Sequence, residues 1–401
     1  FTNPLLSFSD AQQRTDKTQY ITRWRMEPKP EDREAYLKGQ MVEPAKPIIF
    51  YIDNSTPYQW RSYIKKGIED WQIAFEKAGF KNAIIAKEIT DSMHVDMDDV
   101  NYSVLTYAAS EKKNAMGPSL LDPRSGEILE ADIMWWHNVL SMVREWITVQ
   151  TGTVCPEARN CTIAWCFDGR CHSIRRLSWG RPLFRTPPQY DGFMGFRQII
   201  TFRSITSRMN STASSIMDYA RFNYIAQPGD GVKVLSPHIG PYDMFAIEYG
   251  YRWYGKKTPE EEKDVFIRFF WANILIVFYK YSEAQDVRDA VDPRAQNEDL
   301  GDDPVRSSLL GIENLKRIVP QILQWTTTGE KGQTYEEASR LYYAVINQWN
   351  NYLYHVLANI GGIYIENTIV GDGVKNLHIR REKRKQQASL KFLMDEVFDI
   401  P

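Results

Sequence analysis

Between Pro47 and Ile89 the chain changes its hydrophobic period twice, and that switch limits the possible folds more than any other feature. "PIIFYID", Pro47 to Asp53, is a short β-branched and aromatic run that reads as a strand. "STPYQWRSYIKKGIEDWQIAFEKAGF", Ser55 to Phe80, sets Tyr63, Ile64, Ile68, Trp71 and Phe75 on one face at helical spacing. Ser55 is the expected N-cap, Pro57 falls near N1, and Gly79 is the expected stop. "NAIIAKEI", from Asn82, is a second strand. A helix with one apolar stripe between two strands must bury that stripe against a sheet, which points to a layered arrangement.

The pattern continues with a strand in "NYSVLTYAA" and a hairpin in "GPSLLDPRSGEILEADIMWW" that turns at Asp122 to Gly126. "NVLSMVREWITVQTG" reads as a helix. From about Pro304 helices dominate, in "DPVRSSLLGIENLKRIVPQILQW" and "TYEEASRLYYAVINQWNNYLYHVLANIGG". Residues 1–46 are polar and broken by prolines, and read as an extended arm with one short helix. The opening "FTNPLLSFSD" carries no initiator Met or signal peptide, so the arm reads as a fragment of a longer chain. The expected fold class is α+β, a mixed sheet with helices followed by a helical C-terminal subdomain.

A formal net charge of -2 over 401 residues argues against nucleic acid or an anionic membrane as the main partner. The most apolar run, Phe266 to Tyr281, is interrupted by Arg268 and Asn273 and is too short to span a bilayer. The aromatic share of 13% suits a packed core and also a groove for peptide or glycan. His137, beside Trp135 and Trp136, reads as a packed, hydrogen-bonded residue rather than a ligand. The acidic stretch Asp289 to Pro304 lacks the order of a calcium loop and reads as solvated, as does the basic run from His378 to Phe392.

One interval obeys no pattern. From about Asn160 to Ile205 neither a period of two nor one of 3.6 is sustained. Cys155, Cys161, Cys166 and Cys171, the whole cysteine content, fall in or beside it, with His172 attached. Their spacing is not that of paired C-x-x-C zinc ligands. A Cys/His zinc site within 155–172 is the rival reading, and it predicts metal binding lost on Cys171→Ser.

Six stretches carry a resemblance: "PIIFYIDNSTPYQWRSYIKKGIEDWQIAFEKAGFKNAIIAKEI", "NAMGPSLLDPRSGEILEADIMWWHN", "SSIMDYARFNYIAQPGDGV", "IGPYDMFAIEYGYRW", "DAVDPRAQNEDLGDDPV" and "NIGGIYIEN". The chain resembles the bacterial zinc-dependent metalloproteases of the metzincin type, the EcxA-like or Met-zincin domain. The resemblance implies a twisted mixed sheet and a zinc-bearing helix in a catalytic domain over residues 47–232, with a mostly helical subdomain over 233–401. It implies zinc as cofactor, peptide or protein as substrate, and an exported, periplasmic or cell-surface location. Met217, Asp218 and Tyr219 of "SSIMDYARF" would be the Met-turn, an apolar floor beneath the metal. Glu127, Ile128, Leu129 and Ala131 would supply the edge strand on which an extended substrate adds by backbone hydrogen bonding, with Glu127 and Glu130 on a solvated face.

The chemistry implied rests on H-E-x-x-H-x-x-G-x-x-H. Histidines at i and i+4 share a helix face and present two imidazoles to one zinc. The Glu polarises a zinc-bound water, and the Gly turns the chain toward a third His. Here the six histidines (His94, His137, His172, His238, His355 and His378) form no H-x-x-x-H pair.

The irregular interval reads as a frame-shifted copy of the missing motif. Bases two and three of each codon, joined to base one of the next, permit His-Gly-Val-Gly-His-Ser-Leu-Gly-Leu-Arg-His-Asn-Met-Met along Ser178 to Gly192. The three histidines would straddle Ser178 and Trp179, Pro182 and Leu183, and Pro188 and Gln189, so the ligands are lost within 178–189. The general-base Glu would lie across Trp179 and Gly180, where a TGG codon gives Gly and a TGA codon read as Trp gives Glu. The chain as written is therefore expected to hold no zinc at the usual site and to be inactive. The alternative function is a non-catalytic peptide- or glycan-binding module.

Overall fold

The computed structural model describes most of residues 2–151, 239–255, 290–327, 333–363 and 383–398, with isolated positions at Ile225, Gln227, Pro228, Glu261, Asp264 and Val265. The described residues of Phe1–Ser141 and His238–Phe278 form one compact unit. Those of Met142–Leu177, Thr201–Pro237 and Tyr279–Pro401 form a second.

The first unit begins with an antiparallel ribbon, β1 (Thr2–Ser7) with β2 (Asp16–Tyr20), and continues through β3 (Arg23–Trp24) and a short helix α1 (Arg33–Leu37). The layered core then follows as β4 (Ile48–Ile52), α2 (Tyr58–Glu69), α3 (Gln72–Lys77), β5 (Ile84–Glu88) and β6 (Ser103–Ala108). After them come β7 (Ala115–Met116), β8 (Ser119–Leu121), β9 (Glu127–Ala131) and β10 (Ile133–Trp136); the helix α4 (Val139–Thr151) follows, and from Met142 on it belongs to the second unit. A further helix of the first unit, α5 (Pro241–Tyr251), packs against α3.

Five strands form one sheet in the order β5-β4-β6-β10-β7. The first four run parallel and β7 runs antiparallel at the edge. Ile48, Phe50 and Ile52 of β4 are all buried, and Ile49 and Tyr51 between them are half-buried, as a parallel strand covered on both faces requires. Trp60, Ile64 and Ile68 of α2 are almost fully buried at intervals of four residues. Each such side chain contributes about 1.5–3 kcal/mol by leaving water.

The helix expected over 55–80 is two helices. Trp71 donates its N–H to the Ile68 carbonyl at 3.3 Å, so the turn tightens there. The break brings two polar side chains to the outer edge of β5. Glu69 Oε1 accepts from Ala86 N–H at 3.3 Å, and Gln72 Oε1 accepts from Ala83 N–H at 2.8 Å. Those bonds cover an edge that would otherwise present open donors. Ser55 is not the cap: the N-cap position is Pro57, and the Ser55 hydroxyl bonds to the Asp53 carboxylate and the Tyr107 carbonyl. Gly79 does end the second helix, at φ +94°, where a side chain would strike the Tyr36 ring.

The second sheet, ordered β3-β9-β8, is built on the expected hairpin. Asp122 and Gly126 close its turn, with Gly126 N–H to Asp122 O at 2.8 Å. At Asp132 the chain leaves this sheet and joins the larger one as β10. The Asp132 carboxylate accepts Val104 N–H at 2.8 Å, and Asp132 N–H reaches Pro118 O at 3.0 Å.

The second unit is helical, with α6 (Pro304–Ile318), α7 (Ile322–Thr326), α8 (Glu336–Leu357) and α9 (Lys383–Leu393). Asp303 caps α6, accepting from Val305 and Arg306 N–H, and Pro304 stands at its start. Ile312, Leu315 and Ile318 pack with Leu341, Val345, Tyr352 and Val356 in one core, joined by Val149 of α4 and Phe392 of α9. The acidic stretch before α6 is not simply solvated. Asp292, Gln296 and Asp299 are buried; Asp299 accepts Ser307 Oγ–H at 2.8 Å, and Gln296 donates to His355 O at 3.0 Å. Among the described residues no helix is long and apolar enough to cross a membrane.

Candidate functional site

The C-terminal ends of the parallel strands gather polar and aromatic groups. β6 and β10 run side by side, with Tyr107 opposite Trp135. The Tyr107 hydroxyl lies 3.0 Å from His137 Nδ1, and its ring meets Trp135 edge-on with centroids 5.1 Å apart. Lys112 Nζ stands 4.1 Å over the Trp136 ring. His137 is thus held by a phenol, as its reading as a hydrogen-bonded residue expects, but it is exposed rather than packed. Sequence reasoning missed Tyr107 as its partner, because two residues thirty positions apart meet only through strand register.

The edge strand is placed differently from the expectation. Glu127, Ile128, Leu129 and Ala131 belong to β9, which is the central strand of its sheet. On one side it pairs with β8, and on the other Arg23 and Trp24 pair in parallel with Glu127 and Ile128. The chain's own arm therefore occupies, at Glu127 and Ile128, part of the position at which a substrate strand was expected to add. The antiparallel edge of the larger sheet is β7 instead, and among the described strands none pairs with its outer side. Trp136 N–H donates to Asn114 O at 3.2 Å. By the alternation of an antiparallel ladder, Ala115 then turns its backbone outward. Its N–H takes the Asn114 side-chain oxygen at 2.8 Å, and Ala115 itself is buried.

β9 also holds a carboxyl pair. Leu121 pairs with Ile128 and Leu120 with Glu130, so Leu129 is bulged out of the ladder. Glu130 is half-buried, and Asp132 follows it two positions on, on the same side of the chain. Burial, a hydrogen bond with Asp132 and the charge of Asp132 push Glu130 up to about 7, and its Oε1 is buried without a hydrogen-bond partner.

The remaining expected site positions lie outside the described residues. These are the four cysteines and His172, the 178–189 interval with Trp179 and Gly180, and Met217, Asp218 and Tyr219. Of the histidines, His137 and His355 are described; His355 is a buried residue of α8. Among the described residues no group of three or more His, Cys, Asp or Glu side chains is arranged to hold a metal ion. No histidine in this sequence has another four positions away, so the residues present do not supply the two helical ligands of an H-x-x-x-H zinc site.

A family model described as Met-zincin matches residues 200–401, slightly more than half of the chain. Neither a characterised protein nor a solved structure matches it significantly.

Proposed function

The chain belongs to the Met-zincin family, and from that membership we propose that it keeps the scaffold of a zinc-dependent metallopeptidase while lacking the segment that grips the metal. The absence of any H-x-x-x-H pair in 401 residues carries this reading. The family match begins at residue 200, close to Ile205, where the shifted interval was expected to end, and this supports a displaced reading frame upstream. Peptide recognition can outlast the loss of the metal. Main-chain bonds to an extended peptide do not depend on the missing helix. The chain as written is thus a peptide binder on a peptidase scaffold, exported to the periplasm or cell surface as its family resemblance implies.

Two purified proteins test this. The chain as written should contain no stoichiometric zinc and leave casein intact. A version with the interval 160–205 replaced by its shifted-frame translation, with Glu across Trp179 and Gly180, should gain both zinc and casein cleavage. Tightly bound zinc with turnover in the first protein defeats the reading. A restored version that folds but takes up no zinc defeats the frame-shift explanation.

A further inference from the structure

A cavity of about 560 Å³ opens on the first unit, away from the strand ends described above. Its wall is made by Arg23 to Glu27, by Arg33 at the head of α1, by the β8–β9 turn, and by the segment leaving α5 at Gly250 to Gly255. Four arginines and two glutamates, Glu27 and Glu127, line it, and with Glu248 paired to Arg252 the local excess is one positive charge.

Two of these arginines are committed within the protein and two have donors to spare. Arg25 bonds to Glu27 at 3.0 Å, and Arg252 pairs with Glu248 at 2.5 Å. Arg23 gives one nitrogen to the Gly250 carbonyl at 2.6 Å and makes no ion pair with a described residue. Arg33 stands 3.6 Å from Glu27, too far for a hydrogen bond, and its Nε is buried without a partner. The Arg33 guanidinium also lies 5.5 Å over the Trp253 ring. Trp24, Tyr251 and Tyr254 complete an aromatic wall. Burial pushes both phenols up to about 12, so at neutral pH they keep their protons.

Arg23, without an acid partner among the described residues, and Arg33, with only a long ion pair to Glu27, leave donors that an incoming anion satisfies. The planar fork of Arg matches a carboxylate bidentately, and the aromatic wall suits a flat ring. Glu27 and Glu127 in the same wall disfavour a second negative charge on the ligand. The volume lies within the range of small-ligand sites. We propose that this cavity binds a singly charged carboxylate carried next to an aromatic ring, the carboxylate on Arg23 and Arg33 and the ring against Trp253. The C-terminal aromatic residue of a peptide and a free aromatic acid share that chemistry. The site does not depend on the metallopeptidase reading.

Saturation-transfer NMR titrations on the full chain test it, with N-acetylphenylalanine, its carboxamide, phenyl phosphate and Gly-Gly-Phe as probes. The acid should bind at least roughly tenfold more tightly than the carboxamide, the scale of one lost charge-assisted hydrogen bond. Phenyl phosphate should bind no more tightly than the acid. Arg23→Gln should weaken the acid by roughly tenfold and leave the carboxamide unchanged. Tighter binding of Gly-Gly-Phe than of the acid supports the proposal with a peptide C-terminus as the source, and equal binding supports it with the free acid. The proposal falls if acid and carboxamide bind alike, if neither binds, or if a folded Arg23→Gln chain binds the acid as well as the parent. Should that variant not fold, the comparison of acid with carboxamide still decides.

Discussion

At the scale of single residues, Glu130 shows how burial beside a second carboxyl makes a strand residue titrate near neutral pH. Folded, it titrates near 7; unfolded, it returns to the ordinary value of 4.5. The native state therefore holds an extra proton between those values. The stability tied to that proton is full below about 4.5 and is lost as pH rises through 7. Above 7 two carboxylates two positions apart are both charged and repel. Glu130→Gln keeps the shape and removes the titration. The variant should melt at a higher temperature than the parent at about pH 8, by on the order of 1 kcal/mol after allowing for water at a half-buried site, and the difference should vanish near pH 4.5. Parallel melting profiles across that range would show that the pair has no such role. The sequence reading set Glu130 on a solvated face with Glu127, although residues three apart fall on opposite faces of a regular strand. Nothing in the residue types of "EILEAD" announces a bulge, which forms only when β8 supplies the register.

At the scale of elements, the closest approach of two helices in the second unit rests on a missing side chain. Gly311 of α6 faces the Tyr352 ring of α8, and a methyl at 311 would overlap it. Alanine favours a helix over glycine by about 1 kcal/mol, but overpacking a filled core costs about 1–3 kcal/mol. Gly311→Ala should therefore destabilise the chain in a denaturant titration, and Tyr352→Leu in the same chain should recover part of the loss through the shared contact. A stabilised Gly311→Ala chain would show that the helices separate at no cost. The sequence made both helices legible through their periods, and Asp303-Pro304 marked the start of α6. Their spacing was not legible, because a small residue in one helix gives no sign of the ring that faces it. The same limit explains the first unit. Strand and helix types between Pro47 and Trp136 followed from period, while the pairing of Arg23 and Trp24 with β9 did not. Two residues are too few to carry a period, so the arm read only as extended with one short helix, and β9 looked like an edge.

At the scale of the whole molecule, the sheet unit and the helical unit each have a buried core of their own, and the segment expected to carry the zinc ligands lies between their main parts in sequence. A metal that binds only the folded state adds RT ln(1 + [L]/Kd) to stability, about 2.7 kcal/mol at a hundredfold excess over Kd. For a unit of roughly 200 residues that raises the melting temperature by about 5–10 °C. Zinc in excess should leave the melting temperature of the chain as written unchanged. The version restored over 160–205 should gain several degrees and lose them to a chelator. This readout is independent of catalysis, so it separates a missing metal site from a defect elsewhere in the active centre. If the chain as written does respond to zinc, the cysteines decide the cause. A shift abolished by Cys171→Ser assigns the metal to the Cys/His cluster. A shift that survives the substitution means that ligands outside any H-x-x-x-H pair hold the metal, and that the scaffold retained its cofactor by a route the sequence does not spell.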